Sequence, residues 1–113
     1  MTKPVIKKDP LYRLLRNEDI PAFNKARDTM DVSELRSGDY RGRDLRNMNA
    51  DGLDFSGAYF RNADLSGIDF RNTNLEGASL ADAKVSGVYF PKELSAEEIR
   101  LSVDFGTRLR YRS

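Results

Sequence analysis

The side chains that could do chemistry in this 113-residue chain are few in kind. The sequence contains no His and no Cys, so the commonest general base, the thiolate nucleophile and the soft metal ligands are missing. Recurring carboxylates remain as candidates for paired acid and base catalysis. They are Asp44, Asp54, Asp64 and Asp69. Their regular spacing favours a structural role, in which each side chain bonds neighbouring backbone, so we expect no enzyme activity, no metal site and no cofactor.

A five-residue rhythm underlies that spacing. Counting in fives from Leu35 to Phe90 gives twelve centres, of which all but Ala50 are large and apolar. The residue two places before a centre is usually small or aliphatic, and every position two places after one, from Gly42 to Gly87, is Gly, Asn or Asp. A fixed repeat with turn formers in constant register is typical of a solenoid.

The same register predicts which side chains form the core. A period of five matches neither straight strands nor amphipathic helices. A chain that turns a corner every five residues can place each centre, and the residue two before it, on the inside. The corners must then tolerate positive φ, which Gly, Asn and Asp do best. Arg43 occupies an inward position, and we expect it in the first coil, with its stem packed and its charge at the open end.

Two units carry a resemblance to a known family. They are residues 63–67, with the sequence Ala-Asp-Leu-Ser-Gly, and residues 73–77, with Thr-Asn-Leu-Glu-Gly. Both resemble the A(D/N)LXX consensus of pentapeptide repeat proteins, and the resemblance extends over residues 33–92. In that family four units form one coil of a right-handed, quadrilateral β-helix. The resemblance therefore implies an all-β solenoid of about three coils, to which the flanking sequences add short helical caps at both ends.

Two short helices are predicted before the repeat. Asp9 and Pro10 are a suitable N-cap and N1 pair for a short helix over residues 11–16. Asp19 can cap a second helix over residues 21–27. Both would cover the apolar end of the first coil. The chain is thus predicted to divide into an N-terminal helical cap (1–30), a repeat domain (31–92) and a C-terminal helix with a basic tail (93–113).

The C-terminal flank predicts a third helix and a strand-like tail. Ser95 and Glu98 form a capping-box pattern, and Gly106 ends the helix. In the tail, arginines alternate with Leu109 and Tyr111, which predicts one basic and one apolar face. We expect Leu109 and Tyr111 to mediate self-association as a homodimer. In longer members of the family the C-terminal end joins two chains, so the resemblance implies the same.

The composition favours a cytoplasmic protein. Without Cys there is no disulfide framework. No apolar run has the length of a signal peptide or a membrane span, so we expect no contact with a membrane.

Three functions remain open. The first is a non-enzymatic protein interaction module of unknown partner. The second, which the family resemblance implies, is protection of DNA gyrase by mimicry of duplex DNA, as in the fluoroquinolone resistance members. The third is weak nucleic-acid binding, with Arg108, Arg110 and Arg112 contacting the anionic partner.

Charge and length favour the first function. Three coils at a spacing of about 4.8 Å make a rod of about 14 Å, which matches only about eight charges of duplex DNA. Residues 31–90 contain ten acidic and seven basic side chains, a small excess for a DNA mimic. A tail of three arginines would give modest, salt-sensitive binding to nucleic acid.

One outer face is the best candidate for a partner. Side chains one full coil apart should stack, which brings together Asp39, Arg41, Tyr59, Arg61, Ser79 and Ala81. This face combines an aromatic ring with stacked arginines, the residue types enriched at interface hot spots. We expect the partner to contact Arg41, Tyr59 and Arg61.

Overall fold

The structure, a computed structural model, describes residues 8–112. Three helices flank the repeat: α1 (Pro10–Arg16), α2 (Ile20–Ala26) and α3 (Ala96–Phe105). A short 3₁₀ turn, Ser33–Leu35, leads into the repeat. Residues 1–7 and 113 of the two predicted flanks lie outside the described residues. No helix within residues 8–112 is long and apolar enough to cross a membrane.

The repeat winds back over itself every four units. Parallel bridges join residues 20 apart, and the bridged pairs are Asp39–Tyr59, Asp44–Asp64, Asp54–Asn74, Tyr59–Ser79, Asp64–Lys84 and Asp69–Tyr89. Each bridge is isolated, so none extends into a longer strand in the part of the chain that the structure describes. The bridges use backbone bonds such as the one from the Leu45 N–H to the Asp64 carbonyl, 3.0 Å long. The chain therefore forms stacked coils of four pentapeptides each.

The inward register is confirmed by burial. All ten centres from Leu35 to Leu80 are buried, including Ala50, whose unit also buries Met48. The positions two before the centres are buried from Met48 to Ala83. Aromatic rings stack between coils, with the Tyr40 and Phe60 centroids 5.4 Å apart. Only the last two centres, Val85 and Phe90, are half-buried.

The corners also follow the predicted chemistry. Nine of the ten Gly, Asn and Asp residues from Gly42 to Gly87 have positive φ, and Asn72 is the exception. Where the residue before a centre is Asp or Asn, its side chain stabilises the corner by accepting the N–H two residues on. Asp54, for example, accepts the Ser56 N–H at 2.8 Å, and Asp64 accepts the Ser66 N–H at 3.1 Å. The structural interpretation of the recurring aspartates is therefore confirmed.

The N-terminal helices cover the first coil. Asp9 caps α1 by accepting the Tyr12 N–H, and Asp19 caps α2 by accepting the Ala22 N–H. Helix α2 begins and ends one residue before the predicted bounds. The buried Tyr12 ring lies against Tyr40, with centroids 5.4 Å apart. Gly38 leaves room for both rings, because a Cβ there would approach them to within 2.8 Å.

The C-terminal helix covers part of the last coil. Ser95 accepts the Glu98 N–H, as the capping box predicts, whereas the Glu98 carboxylate binds Arg110. Gly106, at φ 72°, ends α3. The buried Ser102 hydroxyl accepts the Leu80 N–H at 2.9 Å. This hydroxyl thus replaces the backbone acceptor that a further coil would supply.

Truncation of the central ring tests the core register. Phe60 is fully buried and contacts Tyr40, Phe55 and Phe70. Phe60→Ala should lower the free energy of unfolding by about 3–5 kcal/mol, because it leaves a large cavity among these rings. Chemical denaturation measures the change. Tyr89→Ala is the control, since its side chain is 58% exposed; equal losses in the two variants would refute the inward assignment of Phe60.

Candidate functional site

Three acidic side chains of the repeat are each bound by the arginine two residues on. The pairs Asp39–Arg41, Asp44–Arg46 and Asp69–Arg71 are each bidentate. The guanidinium of Arg46 lowers the pKa of Asp44 to about 2, and that of Arg71 lowers the pKa of Asp69 to about 2. Carboxylates held ionised in this way are poor proton donors near neutral pH. Within residues 8–112 no group of three or more acidic side chains could hold a metal ion.

The outer face that was predicted to bind a partner also includes Arg108 of the C-terminal tail. Arg41 is held by the buried carboxylate of Asp39 at 2.8 Å. Tyr59 is half-buried, and its hydroxyl accepts a hydrogen bond from the Arg108 guanidinium at 2.9 Å. The same guanidinium lies over the Tyr59 ring, 5.1 Å from its centroid. Arg61 is exposed and has no side-chain partner among the described residues. The structure thus places Arg41, Tyr59 and Arg61 on one surface and brings Arg108 to it.

A concavity at one end of this face was not predicted. It has a volume of about 460 Å³. It is lined by Arg16, Asp39, Arg41, Gly42, Arg43, Arg61 and Asn62. We call it the arginine concavity. The five-residue pattern identified Arg43 only as an irregular inward residue, and no sequence pattern linked Arg16 of α1 to the repeat.

The packing of α1 assembles the arginine concavity. Arg16 donates to the Asp39 carbonyl at 3.1 Å, and its guanidinium lies 3.4 Å from the Asp39 carboxylate. Arg43 donates to the Arg16 carbonyl at 3.2 Å and to the Arg41 carbonyl at 3.3 Å. Arg41 lowers the pKa of Asp39, with a smaller contribution from Arg16. Asp39 is therefore the anionic centre that holds two of the four arginines.

The C-terminal tail pairs with its own chain. Arg108 bridges Ser79 in antiparallel fashion, and the backbones of Leu109 and Ala78 bond at 2.8 Å. Leu109 is buried. The Tyr111 hydroxyl accepts the Leu75 N–H at 2.8 Å. Both side chains therefore contact the repeat within one chain, and self-association through Leu109 and Tyr111 stays a prediction.

The tail arginines are also less available than predicted. Arg108 donates to the Gly77 carbonyl as well as to Tyr59. Arg110 forms a bidentate pair with Glu98, which is largely buried. Only Arg112 has an exposed side chain without a partner in the described chain. Alternation in the tail was correctly predicted, but its basic face is mostly committed to the fold.

Comparison with protein families agrees with the geometry. The family model described as Pentapeptide repeats matches residues 44–77 and 54–90, with eight copies. Residues 44–90 of the chain are pentapeptide repeats of this family. Comparisons with curated proteins and with solved structures gave no match. The matched pentapeptide repeats begin at Asp44, so Arg16, Asp39, Arg41 and Arg43 of the arginine concavity precede them.

Acid should destabilise this protein. Asp39, Asp44, Asp69 and Glu98 all have a pKa below the usual value, in each case chiefly through hydrogen bonds from an arginine. Their contribution is complete above the unfolded pKa of about 4 and is lost as the pH falls through the lower folded values. The thermal midpoint should therefore fall between about pH 4 and pH 2.

Asp39→Asn tests the source of this pH dependence. The variant should have a lower thermal midpoint at neutral pH, because it removes the anionic centre of the arginine concavity, and a shallower decline on acidification. Glu97→Gln is the control, since its ion pair with Arg100 is solvent-exposed and should contribute little. An Asp39→Asn profile parallel to that of the wild type would contradict the assignment.

Proposed function

We propose that this chain is a non-enzymatic protein interaction module of the cytoplasm, built on a right-handed quadrilateral β-helix. The pentapeptide repeats support the fold, and the family match is compatible with a binding role. The partner contacts the face that carries Arg41, Tyr59, Arg61 and Arg108. An acidic protein surface is the complementary partner.

The observation that carries this proposal is the pairing of Tyr59 with Arg108, with Arg61 two residues along the chain from Tyr59; neither guanidinium has a carboxylate partner among the described residues. Arg108 stacks on the Tyr59 ring and bonds its hydroxyl. Arg61 has no ionic partner in the described part of the chain. An amphipathic ring fixed by a guanidinium loses little side-chain entropy on binding, and exposed guanidinium groups form bidentate pairs with carboxylates. These properties are typical of interface hot spots.

A second face offers the same residue types with a different charge balance. Arg71 lies 4.8 Å from the centroid of the Tyr89 ring. Its guanidinium, however, is already paired with Asp69 at 2.8 Å. An acidic partner gains less there because it must compete with that carboxylate. This difference selects the Tyr59 face and supplies a matched control.

Partner capture with matched double variants tests the proposal. Immobilised wild-type protein and the Tyr89→Ala/Arg71→Ala variant should retain the same partner from the native host's lysate. The Tyr59→Ala/Arg61→Ala variant should lose it, by at least about tenfold, since two hot-spot side chains are removed. Quantitative mass spectrometry measures recovery. Equal recovery by the two double variants would contradict the assignment of the face.

Gyrase protection is the alternative function, and the charge arrangement argues against it. A DNA mimic must present an uncompensated series of negative charges. Here the outer carboxylates of Asp44 and Asp69 are paired with arginines at 2.8 Å. The protein at micromolar concentration should therefore leave gyrase supercoiling unchanged, with or without a fluoroquinolone. Potent inhibition or protection from the drug in the supercoiling assay would place DNA mimicry first.

A further inference from the structure

We propose that the arginine concavity is a binding site for a small phosphate-type oxyanion with at least two negative charges, such as a pyrophosphate group. Its lining residues include four arginines and one aspartate, an excess of three positive charges around a volume of about 460 Å³. This goes beyond partner binding, because the ligand is a small molecule and its site includes Arg16 of α1.

The four guanidinium groups divide into two kinds. Arg16 and Arg41 surround Asp39, whose side chain is only 7% exposed, and they satisfy its buried charge. Arg43 instead donates to two neutral backbone carbonyls, those of Arg16 and Arg41. These bonds orient the Arg43 guanidinium without neutralising it. Arg61, from the next coil, has no side-chain partner in the described chain. Arg16 and Arg41 therefore share the single negative charge of Asp39, and Arg43 and Arg61 have no carboxylate partner, which together leaves three positive charges uncompensated.

The charge excess determines the class of ligand. Like charges gathered in one concavity repel each other, and an anion bound between them removes that repulsion. A single carboxylate would leave two positive charges uncompensated, whereas a pyrophosphate carries enough negative charge to balance all three. Guanidinium groups also match phosphate oxygens in bidentate geometry.

The alternative of a nucleic-acid backbone is less well supported. A duplex presents charges along its whole length and needs a run of cations to follow it. Beyond the concavity, Arg110 is paired with Glu98 and Arg46 with Asp44. The arginine concavity gathers four arginines around one carboxylate, whereas Arg108 and Arg112 of the tail carry their charges elsewhere. This arrangement fits a compact anion better than a continuous duplex backbone.

Calorimetric titration with pyrophosphate at low ionic strength tests the proposal. The wild-type protein should bind one pyrophosphate saturably at submillimolar concentration, and inorganic phosphate, with less charge, more weakly. Arg61→Gln and Arg43→Gln should each weaken binding by about tenfold or more, which is the usual loss of a charged hydrogen bond. Arg112→Gln removes the same charge from the exposed tail and should change affinity less than about twofold.

Three results would overturn the site. They are an absence of saturable binding to the wild-type protein, an equal loss in Arg112→Gln and Arg61→Gln, and equally tight binding of citrate, which offers only carboxylates. Arg61→Gln separates binding from folding, because its side chain makes no bond that the fold requires. The thermal midpoint of Arg61→Gln, measured by circular dichroism, should equal that of the wild-type protein. No protein partner is present in the titration, so the result is independent of the partner-capture experiment.

Discussion

The stacking of coils by backbone hydrogen bonds is the constraint on which the rest of this structure depends. The backbone of each coil donates hydrogen bonds to the neighbouring coil and accepts hydrogen bonds from it, as the 20-residue spacing of the bridges shows. The first and last coils lack a neighbour on one side, and their donors would remain unpaired. At the N-terminal end, three successive sides of the first coil receive side-chain acceptors: Tyr12 for Asp39, Glu18 for Asp44 and Asn24 for Asn49.

The C-terminal end is closed by the same means, but only in part. The Tyr111 hydroxyl accepts the Leu75 N–H, and the Ser102 hydroxyl accepts the Leu80 N–H. The next two centres, Val85 and Phe90, have no acceptor for their N–H groups within residues 8–112 and are half-buried. Because the helices and most of the tail are used on the ends, the lateral faces remain open except where Arg108 lies over Tyr59. The capping of the first coil also brings Arg16 beside Asp39, so end closure and the arginine concavity have a common origin.

Periodicity explains why the core could be predicted and the arginine concavity could not. The five-residue register predicts directly that Phe60 and Ala63 point inward. The Gly, Asn and Asp residues at the corners follow from the need for positive φ. Arg43 was located correctly in the first coil, but its acceptors on Arg16 and Arg41 depend on how α1 packs. The alternation of the tail predicted that Leu109 would be on an apolar face. The segment with which the tail pairs depends on contacts far apart in sequence. Nothing within residues 107–112 specifies Ser79 as the neighbour of Arg108.

Amide hydrogen exchange followed by NMR tests the central claim, that coil stacking fixes the register and that flanking side chains substitute for a missing coil. Amides bonded between coils, such as those of Leu45 and Phe60, should exchange slowly. The amides of Leu75 and Leu80 should be protected too, although they belong to the last coil, because the Tyr111 and Ser102 hydroxyls accept their hydrogen bonds. Val85 and Phe90, at equivalent positions, should exchange fast. Equal exchange at all four last-coil centres, or fast exchange at Leu45 and Phe60, would contradict the account.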